Sequence, residues 1–265
     1  MRFKRIVAVM ACLAFAFALA GCGGASSASS SSSEESFADG QFIVDLGKAL
    51  EARWAITDAA GNDALTQEAE KEMLENGIQA ELDILEGYTS EKFEDSNLQE
   101  KAIKYVNCLK DQQAALDYMT VDYEKYSKEW GSAYDARTQL IKEFVDNYGL
   151  TVSEENAGTL KELTTNGSLV TDKQKKQKAV DKICKNMKFE RADEYQYAAV
   201  VENTAGFNFK TFQVRVNLLD KDDVIVESTY ASVNNWEDGQ KAKFDFWYNE
   251  EFEKISVKAD YWEAE

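Results

Sequence analysis

The sequence predicts an α+β chain, an N-terminal antiparallel helical bundle (37–190) followed by a C-terminal antiparallel β-sandwich (191–265). Apolar residues recur every three or four positions from Gln41 to Met187, the period of an amphipathic helix. After Glu190 the period becomes two, that of a half-buried strand. Clusters of Gly, Asn, Asp and Ser interrupt both patterns, and with no proline in the chain these residues must shape every loop.

In the first half, Ile43, Leu46, Leu50, Trp54 and Thr57 make one stripe, ended by Gly61-Asn62. Leu65, Ala69, Met73, Ile78, Leu82 and Leu85 make a second, stopped at Gly87. The third shows Leu98, Ala102, Tyr105, Leu109 and Leu116. The fourth shows Tyr123, Trp130, Tyr134, Ile141, Phe144 and Tyr148, with Gly149 placed to end it. Helices of this length cannot bury their stripes separately, so they should pack together. Two shorter helices follow. One includes Leu160 and Leu163 and turns at Asn166-Gly167; the other opens on a Thr171/Gln174 capping box and turns Val180, Cys184 and Met187 inward.

In the second half, Tyr195, Tyr197 and Ala199 alternate before the turn Asn203-Thr204-Ala205-Gly206, and Phe212, Val214, Val216 and Leu218 make a strand. Asp220-Lys221-Asp222-Asp223 turns the chain, and Val224, Val226, Ser228 and Tyr230 continue on the core face. Phe212 then faces Tyr230, and Arg215 faces Glu227. After Trp236-Glu237-Asp238-Gly239, a hairpin sets Phe244, Phe246 and Tyr248 against Ile255, Val257 and Ala259, and its register pairs Lys243 with Asp260 and Asp245 with Lys258. Short strands with no helix between them indicate a sandwich of immunoglobulin type.

Ahead of the bundle, a basic start (Arg2, Lys4, Arg5) leads into an apolar run from Ile6 to Ala20. That length and those flanks are those of a secretory signal peptide, 1–21. The run ends in Leu19-Ala20-Gly21-Cys22, which resembles the lipobox of bacterial lipoproteins. The resemblance implies cleavage before Cys22 and a diacylglyceryl group on its sulfur. It implies a protein at the cell membrane, lipid-anchored on the extracytoplasmic face; the Ser-rich tether and the absence of Asp after the cysteine fit either envelope type, and resemblance alone favours a Gram-positive cell. The segment 22–36 is the lipidated cysteine and a Ser-rich tether; its 14 residues from Gly23 to Ser36 reach roughly 20 Å as a flexible coil.

Composition narrows the function classes. The chain has 30 basic and 48 acidic residues, so without the three basic residues of the signal the mature net charge is −21. Such a body is repelled by nucleic acid and by anionic lipid, so the membrane is reached through the lipid on Cys22 and nucleic acid is excluded as a partner. The chain has no histidine, which removes Ser-His-Asp and Cys-His catalysis and His-ligated zinc or haem. No carboxylate spacing marks a glycosidase pair. Asp220, Asp222 and Asp223 lack the remaining spacing of a calcium loop and read as a turn. The expectation is a protein that is not an enzyme, with no catalytic residue, metal or cofactor.

Four cysteines stand in the chain. Cys12 leaves with the signal and Cys22 is the lipid site, so Cys108 and Cys184 are left either to pair outside the cytoplasm or to remain separate buried thiols. Tyr123, Tyr126, Trp130 and Tyr134 form an aromatic stripe that is either core packing or a groove for peptide or glycan. Strand alternation puts Trp247 and Trp262 on the face opposite Phe246 and Tyr261, either a docking face for the helical half or a binding surface for a partner. Seven lysines between Lys173 and Lys188 are a solvated face or a strip for an anionic wall polymer.

A second resemblance covers about Tyr195 to Trp262. Val201-Glu202-Asn203, then Phe212-x-Val214-x-Val216-x-Leu218-Leu219-Asp220, then Asp238-Gly239 before a Phe-containing strand, is similar to the FxLYD domain of bacterial lipoproteins and envelope proteins. Val216 and Leu219 replace its naming Phe and Tyr. The likeness implies an immunoglobulin-like fold and supplies no chemistry. The function expected is non-enzymatic interaction at the envelope with a protein or glycan; the alternative is a ligand-capturing lipoprotein of the transport kind, binding a small solute between its domains.

Overall fold

A computed structural model describes residues 37–61 and 65–265, and residues 37–265 form one compact unit. The signal, the lipobox and the tether lie outside the described residues. The fold is α+β, with five helices followed by two small antiparallel sheets.

The helices are α1 (Asp39–Ala59), α2 (Gln67–Leu85), α3 (Ser96–Ala115), α4 (Tyr123–Tyr148) and α5 (Ala157–Asn186). Side-chain caps start three of them by satisfying otherwise orphaned N–H groups. Thr66 Oγ1 accepts from Ala69 at 3.2 Å, Asp95 Oδ1 from Asn97 at 2.8 Å, and Asp122 Oδ1 from Lys125 at 3.0 Å. As expected, Gly149 ends α4 in the left-handed region, at φ 71°, where its N–H donates to the Phe144 carbonyl. Successive helices pack side by side, and the stripes of α1 to α4 meet in one core around Phe42, Leu50, Leu82, Tyr105 and Phe144.

The two short helices expected after Ser153 are one helix of 30 residues, about 45 Å long. Asn166-Gly167 makes no turn because Gly167 serves close packing. A Cβ there would stand 2.4 Å from the Thr138 carbonyl oxygen of α4. Thr171 is likewise no cap: its hydroxyl donates to the Gly167 carbonyl at 2.8 Å and accepts from Gln139 Nε2 at 3.1 Å. Leu160 and Leu163 enter the helical core, whereas Val180, Ile183, Cys184 and the following Met187 enter a second core beneath the strands. Between them Lys173 to Lys178 is exposed.

The strands are β1 (Glu190–Arg191), β2 (Gln196–Glu202), β3 (Phe209–Leu219), β4 (Ile225–Trp236), β5 (Lys241–Trp247) and β6 (Lys254–Ala264). One sheet has the order β1-β2-β5 and the other β4-β3-β6. Both pairings expected from charge are corrected. Phe212 faces Val233 and Arg215 faces Tyr230, an offset that turns Ala231 toward the core and leaves Val224, Val226 and Tyr230 exposed. An irregularity between Leu218 and Leu219, with Asp223 at φ 62°, sets the shift. The energies explain the outcome. A cross-strand charge pair is worth about 0.2–1 kcal/mol, against about 1.5–3 kcal/mol for burying one large apolar side chain. The observed register buries Trp236, after Asn235 at φ 52° reverses the alternation.

The expected last hairpin is also replaced. β5 pairs with β2, Tyr197 facing Phe246, and β6 pairs with β3, Val257 facing Val216. Phe244 and Phe246 therefore meet Val257 and Ala259 across the core instead of along a ladder. Lys243 pairs with Asp245 at 3.5 Å, and Asp260 takes Arg215 and Gln213. Asn203, fully buried, organises the β2–β3 turn: its Nδ2 donates to the carbonyls of Phe207 and Trp236 at 2.9 and 3.1 Å, and its Oδ1 accepts from Ala205.

Candidate functional site

The most unusual chemistry lies inside the helical half, where α1 to α4 each send a polar side chain into the core. Glu81 of α2 is fully buried. Its Oε1 accepts from Arg53 Nη1 of α1 at 3.0 Å and from Arg137 Nη2 of α4 at 2.6 Å, and its Oε2 accepts from the Tyr105 hydroxyl of α3 at 2.6 Å. Gln112 Oε1 accepts from Arg53 Nη1 at 3.2 Å. Two guanidiniums thus share one carboxylate, and their charges exceed it by one.

Burial, then the nearby charge of Arg137, lowers the Arg53 guanidinium below its ordinary value. Burial and the Glu81 carboxylate hold the Tyr105 hydroxyl protonated, well above its ordinary range. Gln112 Nε2 and Arg137 Nε are buried without a partner. The arrangement has the makings of a registration device. A slip of α1, α2 or α4 would strand a charge in apolar surroundings.

The expected residues are dispersed. Tyr126 is buried and Trp130 and Tyr134 pack against the helical core, where the Tyr134 hydroxyl accepts from Asn166 at 3.0 Å; Tyr123 stands 65 % exposed. Core packing therefore accounts for three members of the stripe. Trp247 is exposed, as alternation predicts. Trp262 is not on its face. A register shift in β6 at Asp260 reverses the alternation, so Trp262 faces inward beside Phe207 and Phe209, and its Nε1 donates to Gln177 of α5 at 3.4 Å. The contact with the helical half is thus made on the core side, not on the outer face.

Cys108 and Cys184 are free, buried thiols in separate cores. Burial and Asp111 push the Cys108 thiol up; burial and Asp181 push that of Cys184 up to about 11. At pH 7.5 both should react with a charged thiol reagent more slowly than a free thiol, Cys184 by roughly a hundredfold, and at normal rates in urea. Linkage gives the sign in alkali. The folded state holds the Cys184 proton longer, so stability should fall from the ordinary thiol value of about 8.5 up through about 11.

The lysines from Lys173 to Lys188 are exposed, and Lys176 Nζ lies 5.4 Å from the Phe207 ring centre. Asp220 serves its turn, accepting from the N–H groups of Asp222 and Val224 at 2.9 Å. Among the described residues no group of three or more acidic or sulfur side chains is placed to hold a metal, and no helix is long and apolar enough to cross a membrane. Apolar side chains of Val145, Leu150, Val152 and Leu160 line an open hollow of about 340 Å³ between α4 and α5.

The sequence reading missed the buried polar cluster, although a signal was present. Arg53 follows Leu46 and Leu50, Glu81 sits between Ile78 and Leu85, Gln112 between Leu109 and Leu116, and Arg137 between Ala133 and Ile141. Each holds an apolar position of its stripe. No protein-family model, curated protein or solved structure matches the chain.

Proposed function

We propose that the chain is a lipid-anchored lipoprotein on the extracytoplasmic face of a bacterial, Gram-positive membrane, with a non-enzymatic role in binding partners at the envelope. Leu19-Ala20-Gly21-Cys22 after its basic and apolar lead carries the reading.

The strand-rich half is read as an immunoglobulin-like sandwich of FxLYD type. Its connectivity supports this: the chain changes sheet between β2 and β3, between β4 and β5, and between β5 and β6, which pairs β2 with β5 and β3 with β6. The residues of the resemblance also have structural tasks. Asn203 ties the β2–β3 turn to Trp236, and Asp238 Oδ1 accepts from the Gly206 N–H at 2.9 Å.

Cys22→Ser is the test of the anchor. Cells labelled with radioactive palmitate should show the label in the parent and none in the variant, which should be released or left uncleaved. A mature, palmitate-labelled variant would refute the anchor.

A further inference from the structure

Among the described residues β4 forms a ladder with β3 alone; β5 lies close to β4, joined to its Trp236 end by a short turn, so the edge is open toward the Ile225 end. The Ser228 N–H shows which backbone groups are free. It donates to Glu227 Oε1 at 3.1 Å and so points away from β3. Hydrogen-bonding direction alternates along an antiparallel strand, and the register is unbroken from Glu227 to Asn234. Ser228, Tyr230 and Ser232 therefore direct both N–H and C=O away from β3.

Open edges are ordinarily blunted by charge, proline or a bulge. β4 has one charged residue, Glu227, while β5 has Lys241, Lys243 and Asp245 in seven residues. β6, the other edge of the same sheet, has Lys254, Lys258, Asp260 and Glu263. In place of charge, β4 offers Ile225, Val226 and Tyr230, exposed by 53, 44 and 50 %.

The surroundings give the edge a polarity. The β3–β4 turn lies against the β5–β6 connection, where Lys254 meets Asp223 at 2.6 Å and the Glu253 N–H donates to the Leu219 carbonyl at 2.8 Å. Asp222, Asp223, Glu227, Glu250, Glu251 and Glu253 are all exposed at this end. The lysines among them, Lys221 and Lys254, are each already paired with an aspartate.

We propose that the open edge of β4 is a docking site for an extended, basic polypeptide segment that adds a strand to the β4-β3-β6 sheet. Backbone bonds would hold it, Val226 and Tyr230 would meet its apolar side chains, and the acidic end would receive its lysines or arginines. A second copy is opposed by charge, since residues 37–265 contain 27 basic and 46 acidic residues. The inference rests on the interaction role proposed above and not on the lipid.

The test uses the full chain in detergent with a fluorescent 12-residue peptide of alternating valine and lysine, followed by anisotropy. Binding should saturate and weaken with salt. Ser232→Pro removes an outward N–H without taking a bond from β3, and should weaken binding about tenfold or more, whereas Ser232→Ala should not. Val226→Lys with Ser232→Lys should weaken it comparably by repulsion, which decides the matter if the proline variant is unfolded. No binding, equal binding of a valine–glutamate peptide, or a folded Ser232→Pro variant that binds like the parent would overturn the proposal. So would a concentration-dependent dimer that Ser232→Pro abolishes. If peptide binding fails while crosslinking in intact cells captures partners through other surfaces, the edge alone is refuted and the interaction role stands.

Discussion

Glu81→Ala should lower the stability of the protein by about 3–5 kcal/mol, because it leaves two buried guanidiniums facing each other without their carboxylate. The Tyr105 hydroxyl loses its acceptor in the same step. Urea unfolding followed by far-UV circular dichroism reads the loss as a lower midpoint at unchanged slope. Replacing Arg53, Glu81 and Arg137 together by Met, Leu and Met, with Tyr105→Phe and Gln112→Leu to remove the polar groups that bond to them, should instead be neutral or stabilising by about 1–4 kcal/mol, since the whole charge is then removed from the core. A single variant that unfolds at the parent's midpoint would show that water reaches the cluster and pairs the stranded charges.

The contrast between that cluster and the helices around it shows what the sequence makes legible. Periodicity located most of the stripes of α1 to α4 because burial repeats along one face: Leu98, Ala102, Tyr105, Leu109 and Leu116 are all buried as read, whereas Leu65, which precedes α2, and Tyr123, which opens α4, are exposed. It could not locate a partner. Arg53, Glu81 and Arg137 lie 28 and 56 residues apart along the chain, and only packing brings them together. In the strands, alternation was right for β3, where Phe212, Val214, Val216 and Leu218 are buried, but pairing had to be guessed from charge. Local irregularities at Leu218/Leu219, Asn235 and Asp260 then moved register and face together.

Gly167→Ala should destabilise the protein by about 1–3 kcal/mol, even though alanine is the better helix former by about 1 kcal/mol. The new methyl would stand 2.4 Å from the Thr138 carbonyl oxygen and 2.8 Å from its carbon, and backbone cannot rotate away as a side chain would. α4 and α5 would have to part along a contact that also carries the Gln139–Thr171 and Gln139–Gln174 hydrogen bonds. Gly158 supplies the comparison within the same helix. Nothing lies within 4 Å of a Cβ built there, so Gly158→Ala should gain from a few tenths to about 1 kcal/mol. Thermal unfolding of the pair should move in opposite directions; a rise for Gly167→Ala would mean that the helices are free to shift.

The long reach of α5 also has a consequence for the order in which the molecule can be made. Its first turns close the helical core, yet Val180, Ile183, Cys184 and Met187 need walls supplied by strands that come later in the chain. The 79 residues after Asn186 supply those walls and are the last to be delivered. A chain exported as proposed would fold only after crossing the membrane, and there the end of α5 stays a bare apolar stub until the strands that wall it have arrived.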